Sequence, residues 1–118
     1  MTVTRAAMST QILQHMKPDI IIVEEAAEVL EANMLGSLFI GNNPETHIVM
    51  IGDHKQLRPA VACEDLELEN RLDLSLFERL VNNNIPCATL THQRRMHEAL
   101  TPLHSWIYKV LYSILIHN

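Results

Sequence analysis

The chain has 118 residues, of which 47% are hydrophobic and 19% charged, a composition typical of a soluble globular domain or part of one. Its formal net charge of −5 argues against an independent nucleic-acid-binding module, which is normally basic. Its two cysteines, Cys63 and Cys87, are too few for a disulfide scaffold, and neither belongs to a Cys-x-x-Cys pair that could hold zinc.

The first half of the chain predicts helices on both sides of one buried strand. Residues 1–4 are β-prone, and residues 5–16 predict a helix that ends at the Lys17-Pro18-Asp19 turn. The run Ile20-Ile21-Ile22-Val23 is β-branched throughout, which is typical of a strand buried on both faces of a parallel sheet. Residues 24–39 then predict a helix with an apolar stripe.

The second half continues this alternation. Residues 47–51 predict a second strand, and residues 52–73 predict a loop whose acidic side chains form a solvated surface. The stretch Ser75-Leu76-Phe77-Glu78 is a capping box that opens a short helix. A third strand at 87–90 and a helix from about residue 98 towards the end complete the pattern. This order predicts an α/β fold with a mainly parallel sheet, in which ligands bind at the carboxyl ends of strands.

Two adjacent carboxylates follow the first predicted strand. Glu24 and Glu25 come directly after Val23. In nucleotide hydrolysis, one such acid holds the hydrated Mg²⁺ that bridges the phosphates, and the next orients or deprotonates the attacking water. Acids at the start of a helix also have a simpler explanation, because they favour the positive end of its dipole. Both interpretations stay open on these residues alone.

Polar clusters also follow the second and third predicted strands. On the loop after the second strand, Gln56 could donate to a γ-phosphate and accept from the attacking water, and Asp53 adds a carboxylate. The alternative is a polar turn closed by Pro59. After the third strand, an arginine of the Arg94-Arg95 pair could stabilise charge on a transferring phosphoryl group. The alternative there is a basic surface pair.

In order and spacing, the three clusters resemble motifs II, III and IV of superfamily 1 helicases, at residues 23–27, 52–59 and 93–97. The resemblance is strongest to the branch of the nonsense-mediated-decay helicases, and above all to the NFX-type zinc-finger helicases, through residues 24–32 and 75–80. It implies a partial RecA-like (P-loop NTPase) domain.

The resemblance also implies roles for individual residues. Glu25 would be the catalytic base, Gln56 the γ-phosphate sensor and Arg95 a γ-phosphate arginine. Glu24 would help to hold Mg²⁺, with Glu25 in its outer shell, and Thr4 would face nucleic acid. The residues implied to contact the nucleotide are Glu24, Asp53, Gln56, Gln93 and Arg95.

The main departure from the family is an absence. The 118 residues contain no phosphate-binding loop of the form Gly-x-x-x-x-Gly-Lys-Ser/Thr. We therefore expect residues 1–100 to be the C-terminal part of a first RecA-like domain that lacks the Walker A strand and loop. Residues 101–118 would be an apolar helical tail. ATP and Mg²⁺ are implied by the family, but we expect the chain alone to bind them weakly and to hydrolyse no ATP.

Two functions follow as expectations. The first is a segment of an ATP-dependent RNA helicase, acting in RNA silencing or antiviral RNA regulation, with RNA and the remainder of a helicase motor as partners. The second is a non-catalytic α/β interaction fragment without ATPase activity of its own. No membrane segment or signal peptide is predicted, so we expect an intracellular protein, cytoplasmic or nuclear.

Overall fold

A computed structural model describes residues 1–38, 40, 44–93, 95–104, 107–108 and 112–113. The chain forms two compact units, Met1–Ile85 and Pro86–Asn118, and each is described by itself. The elements of the first unit are, in chain order, α1 (Val3–Met8), α2 (Thr10–Leu13), β1 (Ile20–Val23), a 3-10 turn (Ala26–Glu28), α3 (Glu31–Leu38), β2 (His47–Met50), α4 (Glu64–Leu68) and α5 (Leu76–Asn82).

The first two predicted strands are confirmed, and they pair in parallel. In the register, Ile20 lies opposite His47 and Val23 lies opposite Met50. The pairing continues past the strand ends, because the Ile51 amide donates to the Val23 carbonyl at 2.8 Å. Parallel strands need a crossover between them. Helix α3 lies within that crossover, which confirms an α/β arrangement.

The prediction that β1 is buried on both faces is wrong within the described part of the chain. Ile20 and Ile22 are 58% and 62% exposed, whereas Val23 is buried. The core packs on the other face of the sheet. Val23, Ala26, Met34 and Leu76 form it.

Residues 1–4 form no strand, because Thr2 is the N-cap of α1 and Val3 and Thr4 are the first residues of that helix. The Thr2 hydroxyl accepts a hydrogen bond from the Arg5 amide at 3.2 Å and so caps α1. Helix α1 packs against α3, where the Ser37 hydroxyl lies 2.9 Å from the Asn33 carbonyl and 3.2 Å from the Val3 carbonyl. The single helix predicted for residues 5–16 is split into α1 and α2 at Ser9, which has a non-helical φ of −107°.

Two further elements differ from the sequence-based expectation. The helix predicted for residues 24–39 is interrupted, because only the 3-10 turn and α3 are helical. The loop predicted for residues 52–73 contains the short helix α4, whose first turn carries Glu64, Asp65 and Glu67. Acids there interact favourably with the helix dipole, so the same charges that suggested a solvated loop also support a helix.

The Ser75 cap of the predicted capping box at the start of α5 is confirmed, whereas the Glu78 carboxylate binds Arg58. The Ser75 hydroxyl is buried and accepts a hydrogen bond from the Glu78 amide at 3.0 Å. We expect Ser75→Ala to lower the free energy of unfolding by about 1–2 kcal/mol, because the buried amide loses its acceptor. Ser9→Ala is the matched control, since Ser9 precedes α2 without a side-chain cap. Urea denaturation of both variants measures the difference, and equal losses would contradict the prediction.

The second unit contains β3 (His92–Gln93), a 3-10 helix (Glu98–His104) and β4 (Tyr112–Ser113), and β3 pairs with β4 in parallel. The strand predicted at 87–90 is wrong, because that stretch has no regular structure and the strand begins at His92. The helix predicted from about residue 98 is a 3-10 helix that includes Pro102, and Tyr112–Ser113 is extended.

The rest of the apolar tail lies outside the described residues, and the domain division at residue 100 stays a prediction. In the described ranges, every helix is too short or too polar to cross a membrane.

Candidate functional site

The backbone turns sharply where β1 ends, and the turn is built on Glu25. This residue has φ 52° and ψ 39°, a left-handed conformation that costs a residue with a side chain about 1–3 kcal/mol. The next amide, of Ala26, donates to the Ile51 carbonyl at 2.9 Å. Two consecutive cross-strand bonds therefore join motif II to the end of β2, and they hold Glu25 in its strained conformation.

Gly52 allows motif III to approach motif II closely. A Cβ added at Gly52 would lie 2.9 Å from the Ala27 nitrogen and 3.2 Å from the Ala26 nitrogen. Both contacts are with backbone atoms, which cannot move aside as a flexible side chain can. Only glycine therefore fits at position 52 without displacing the backbone of Ala26 and Ala27.

The motif III loop is organised by Asp53. One carboxylate oxygen accepts from the Lys55 amide at 3.0 Å, and the other accepts from the Gln56 side-chain amide at 2.8 Å. The Gln56 backbone amide also donates to the Asp53 carbonyl, at 3.2 Å. Gln56 itself is exposed. Asp53, which the resemblance placed at the nucleotide, thus holds the proposed phosphate sensor in place.

An open cleft of about 380 Å³ lies at the end of β1. Thr4, Glu24 and Glu25 are among the residues that line it, so the structure brings these predicted residues together, although Thr4 comes from a helix. Of the described residues, Asp53 and Gln56 are not part of the lining.

The two glutamates fit a magnesium ion that is bound together with phosphates. Mg²⁺ prefers oxygen ligands and is usually held by one or two carboxylates plus substrate phosphates and water. Among the described residues, no group of three or more acidic, histidine or cysteine side chains could form a closed metal cage. Glu24 and Glu25, adjacent at one strand end, supply the number of carboxylates that such an open site needs.

An ion-pair cluster at the end of motif III joins the exposed Arg58 to two acids. Arg58 donates from one terminal nitrogen to Asp73 at 2.6 Å and from the other to Glu78 at 2.7 Å. Both carboxylates are buried. Assigning Asp73 to the solvated acidic surface was therefore wrong. The acids are 15 and 20 residues away from Arg58 in the chain, so no local sequence pattern indicates that they form ion pairs with it.

The hydrogen bond to Asp73 is the main cause that raises the pKa of Arg58 above its ordinary value, and the negative charges of Glu78 and Asp73 add to it. Partial burial of the guanidinium acts in the opposite direction. A raised pKa in the folded state means that the contribution of Arg58 to stability is complete at any pH below its unfolded pKa. The arginine therefore keeps this role throughout the physiological range.

A second ion pair joins α5 to α3. Arg79 donates to both carboxylate oxygens of Glu31, with its Nε atom at 3.0 Å from one of them. The hydrogen bond to Glu31 is the main cause that raises the pKa of Arg79. Two adjacent residues of α5 thus contact different parts of the chain. Glu78 binds Arg58 of the motif III loop, and Arg79 binds the first residue of α3.

The third predicted cluster lies in the second unit. Arg95 is exposed and lines a cavity of about 790 Å³ together with Thr89, Leu90, Thr91 and His92. Gln93 lies in β3, but its side chain and all of Arg94 are outside the described part. The convergence of Arg95 with Glu24, Glu25 and Gln56 stays a prediction. Cys63 and Cys87 are both free and exposed.

Comparison with known proteins gives a family match over the N-terminal half. Residues 2–64 match the model of an AAA domain. The mouse (Mus musculus) NFX1-type zinc finger-containing protein 1 is 48% identical over 103 residues, covering 87% of this chain and 5% of the mouse protein. The human (Homo sapiens) protein of the same name is 51% identical over 96 residues, or 81% of the chain and 5% of that protein.

A third relative has a name that states an activity. The "Helicase required for RNAi-mediated heterochromatin assembly 1" of Schizosaccharomyces pombe is 40% identical over 112 residues, which cover 94% of this chain and 11% of that protein. The chain thus spans only a small part of each relative's length. The chain contains the three motifs at residues 23–27, 52–59 and 93–97. The alignment with this helicase covers 94% of the chain.

Proposed function

Because this chain belongs to the AAA domain family and is a segment of a superfamily 1 helicase, we propose that it supplies motifs II and III of an ATPase site that drives RNA unwinding. The observation that carries the proposal is the joined end of β1 and β2. There Glu24 and Glu25 face an open cleft, and the Ala26–Ile51 hydrogen bond holds motif III against motif II.

Each acid has a distinct role in this proposal. Glu24 would hold Mg²⁺, a metal that helicases of this family use together with ATP. Bound ATP with Mg²⁺ would supply the phosphoryl group whose transfer to water releases energy. Glu25, whose backbone is in a left-handed conformation, would orient the attacking water and accept its proton.

Further residues would complete the site. Gln56, restrained by Asp53, would sense the γ-phosphate. Arg95 and Gln93 of the second unit would contribute the arginine and amide of motif IV. Thr4, which lines the same cleft as the two glutamates, would face RNA. The relative named for RNAi-mediated heterochromatin assembly supports a role in RNA silencing.

The chain by itself is expected to hydrolyse no ATP. Its 118 residues contain no Gly-x-x-x-x-Gly-Lys-Ser/Thr loop, and the backbone amides of such a loop are what bind the phosphates. The rest of a helicase motor is therefore the partner that the proposal requires.

A non-catalytic interaction role is the second candidate, and one observation favours it. Ile22 and Val49 are opposite each other in the parallel register, Ile20 is two residues earlier on the same face, and all three are exposed. An apolar sheet face of this kind is typical of a surface that binds another protein segment.

A fluorescent ATP-analogue titration and a chimera together test the proposal. We expect the 118-residue chain to show no Mg²⁺-dependent binding at micromolar concentration. Binding that Glu25→Gln or Arg95→Ala abolishes would contradict that expectation. In the chimera, the chain replaces the aligned segment of the S. pombe helicase, and RNA-stimulated ATP hydrolysis and duplex unwinding are measured beside the unaltered host. Retained activity supports the proposal, and a folded but inactive chimera favours the non-catalytic role.

A further inference from the structure

The motif III loop is anchored at both of its ends. At the first end, Gly52 packs against the backbone of Ala26 and Ala27. At the far end, Pro59 is buried and Arg58 is bound to two carboxylates. The proposed phosphate sensor Gln56 lies between these anchors. Its position therefore depends on both of them, and the far anchor rests on Arg58.

The two carboxylates that hold Arg58 are themselves well ordered by their surroundings. Asp73 precedes α5 and Glu78 lies in its first turn. The Glu78 amide donates to the fully buried Ser75 hydroxyl, which fixes the turn that carries Glu78. The next residue of the helix, Arg79, binds Glu31 of α3. The turn that carries Glu78 is thus held by a buried cap and by an ion pair from the next residue to α3.

We infer that Arg58 is a positioning residue for the ATPase site, because it fastens the far end of the motif III loop to α5 and thereby sets the position of Gln56. This inference rests on the proposed function of Gln56 as phosphate sensor. Arg58 lies two residues along the chain from Gln56, in a loop that the Asp53–Gln56 hydrogen bond of 2.8 Å also restrains.

Arginine is suited to this task in a way that lysine is not. Its two terminal nitrogens bind separate carboxylates, Nη1 on Asp73 and Nη2 on Glu78. A lysine carries one ammonium group, which cannot reproduce the planar two-pronged geometry. Arg58→Lys keeps the charge, so it separates the effect of geometry from the effect of charge. It also keeps one positive charge at this position, which favours folding of the variant over the loss of all charge in Arg58→Ala.

The activity test is a double-mutant cycle in the chimera. We expect Arg58→Ala to lower kcat about tenfold, with the KM for ATP changed less than about twofold, because a displaced sensor weakens transition-state contacts more than ground-state binding. Arg58→Lys is expected to fall between Arg58→Ala and the parent. In a Gln56→Ala background, Arg58→Ala should have no further effect on kcat. Arg71→Ala removes an exposed arginine that takes part in none of these ion pairs, and is the matched control.

A second measurement does not depend on ATP hydrolysis. In the isotope-labelled 118-residue chain, the NMR signal of the Gln56 side-chain amide reports its bond to Asp53. We expect Arg58→Ala and Arg58→Lys to move this signal towards its position in Asp53→Ala, and Arg71→Ala to leave it in place.

The outcomes separate the inference from the proposed function. If the parent chimera hydrolyses ATP but Arg58→Ala matches Arg71→Ala, the inference is overturned and the ATPase proposal stands. Additive losses in the Gln56→Ala background would overturn it as well. If the chimera is folded but inactive, the ATPase proposal fails, and the NMR signal then decides about Arg58. An unmoved Gln56 signal means that Arg58 does not position the loop.

Discussion

Replacing Glu25 by glutamine is expected to lower the kcat of ATP hydrolysis by about a hundredfold or more in the chimeric helicase, with little change in the KM for ATP. Glutamine has the size of glutamate, but it cannot accept the proton of the attacking water. Because Glu25 would act on water and not on nucleotide binding, the loss should be confined to the chemical step. Steady-state ATPase assays at saturating RNA measure both constants.

The matched control for this prediction is Glu67→Gln. Glu67 is exposed in the first turn of α4, and the same change of charge and size there should leave kcat within about twofold of the parent. If Glu25→Gln retained more than about a tenth of the parent kcat while Glu67→Gln behaved as expected, Glu25 would not be the catalytic base.

The backbone of Glu25 adds a stability test that is independent of activity. Glycine adopts positive φ without penalty, so Glu25→Gly should raise the free energy of unfolding of the 118-residue chain by about 1 kcal/mol. Glu24 does not have a positive φ, and Glu24→Gly should lower stability instead. Urea denaturation compares the two. If both variants changed the free energy of unfolding in the same direction, the left-handed turn would store no strain.

The second large effect is expected at Gly52. Gly52→Ala should lower the free energy of unfolding by about 1–3 kcal/mol, because the new Cβ would lie within 3.2 Å of two backbone nitrogens of motif II. Small domains have only about 5–15 kcal/mol of total stability, so the variant loses a substantial part of it. In the chimera, the same substitution should reduce ATPase activity, because it separates motif III from motif II.

Gly36→Ala is the matched control and should change stability in the opposite direction. Gly36 lies within α3, and a Cβ there would make an ordinary contact of 3.4 Å with the Ala7 side chain. Alanine favours a helix over glycine by about 1 kcal/mol, so this variant should be more stable than the parent. Thermal or urea denaturation of the pair tests the contrast. A stabilising Gly52→Ala would contradict the close approach of the two motifs.

Sequence patterns correctly predicted the secondary-structure features that depend on residues close together in the chain. The β-branched run at residues 20–23 forms a strand because its side chains suit a pleated backbone. Ser75 caps α5 because its hydroxyl reaches an amide three residues later. Both features depend on residues that are close in the chain, so the amino-acid sequence is sufficient to find them.

The secondary-structure predictions for residues 1–4 and 24–39 were wrong because tertiary contacts there decide between helix, strand and turn. Residues 1–4 have β-propensity, but within the described residues they have no strand to pair with, and Thr2 caps a helix that contacts α3. Helix propensity across residues 24–39 was overridden at Glu25, because the Ala26 amide bonds to Ile51 from the neighbouring strand. A propensity of a few tenths of a kcal/mol per residue does not outweigh such contacts.

The sequence alone determined the family, the two strands and the acids at their ends, since strand-forming residues and the motifs after them are contiguous in the chain. Only the tertiary structure decided that Gly52 contacts motif II and that Arg58 binds Asp73 and Glu78. These contacts join residues far apart in the chain, and their energies depend on burial and distance. Neither quantity exists until the chain has folded.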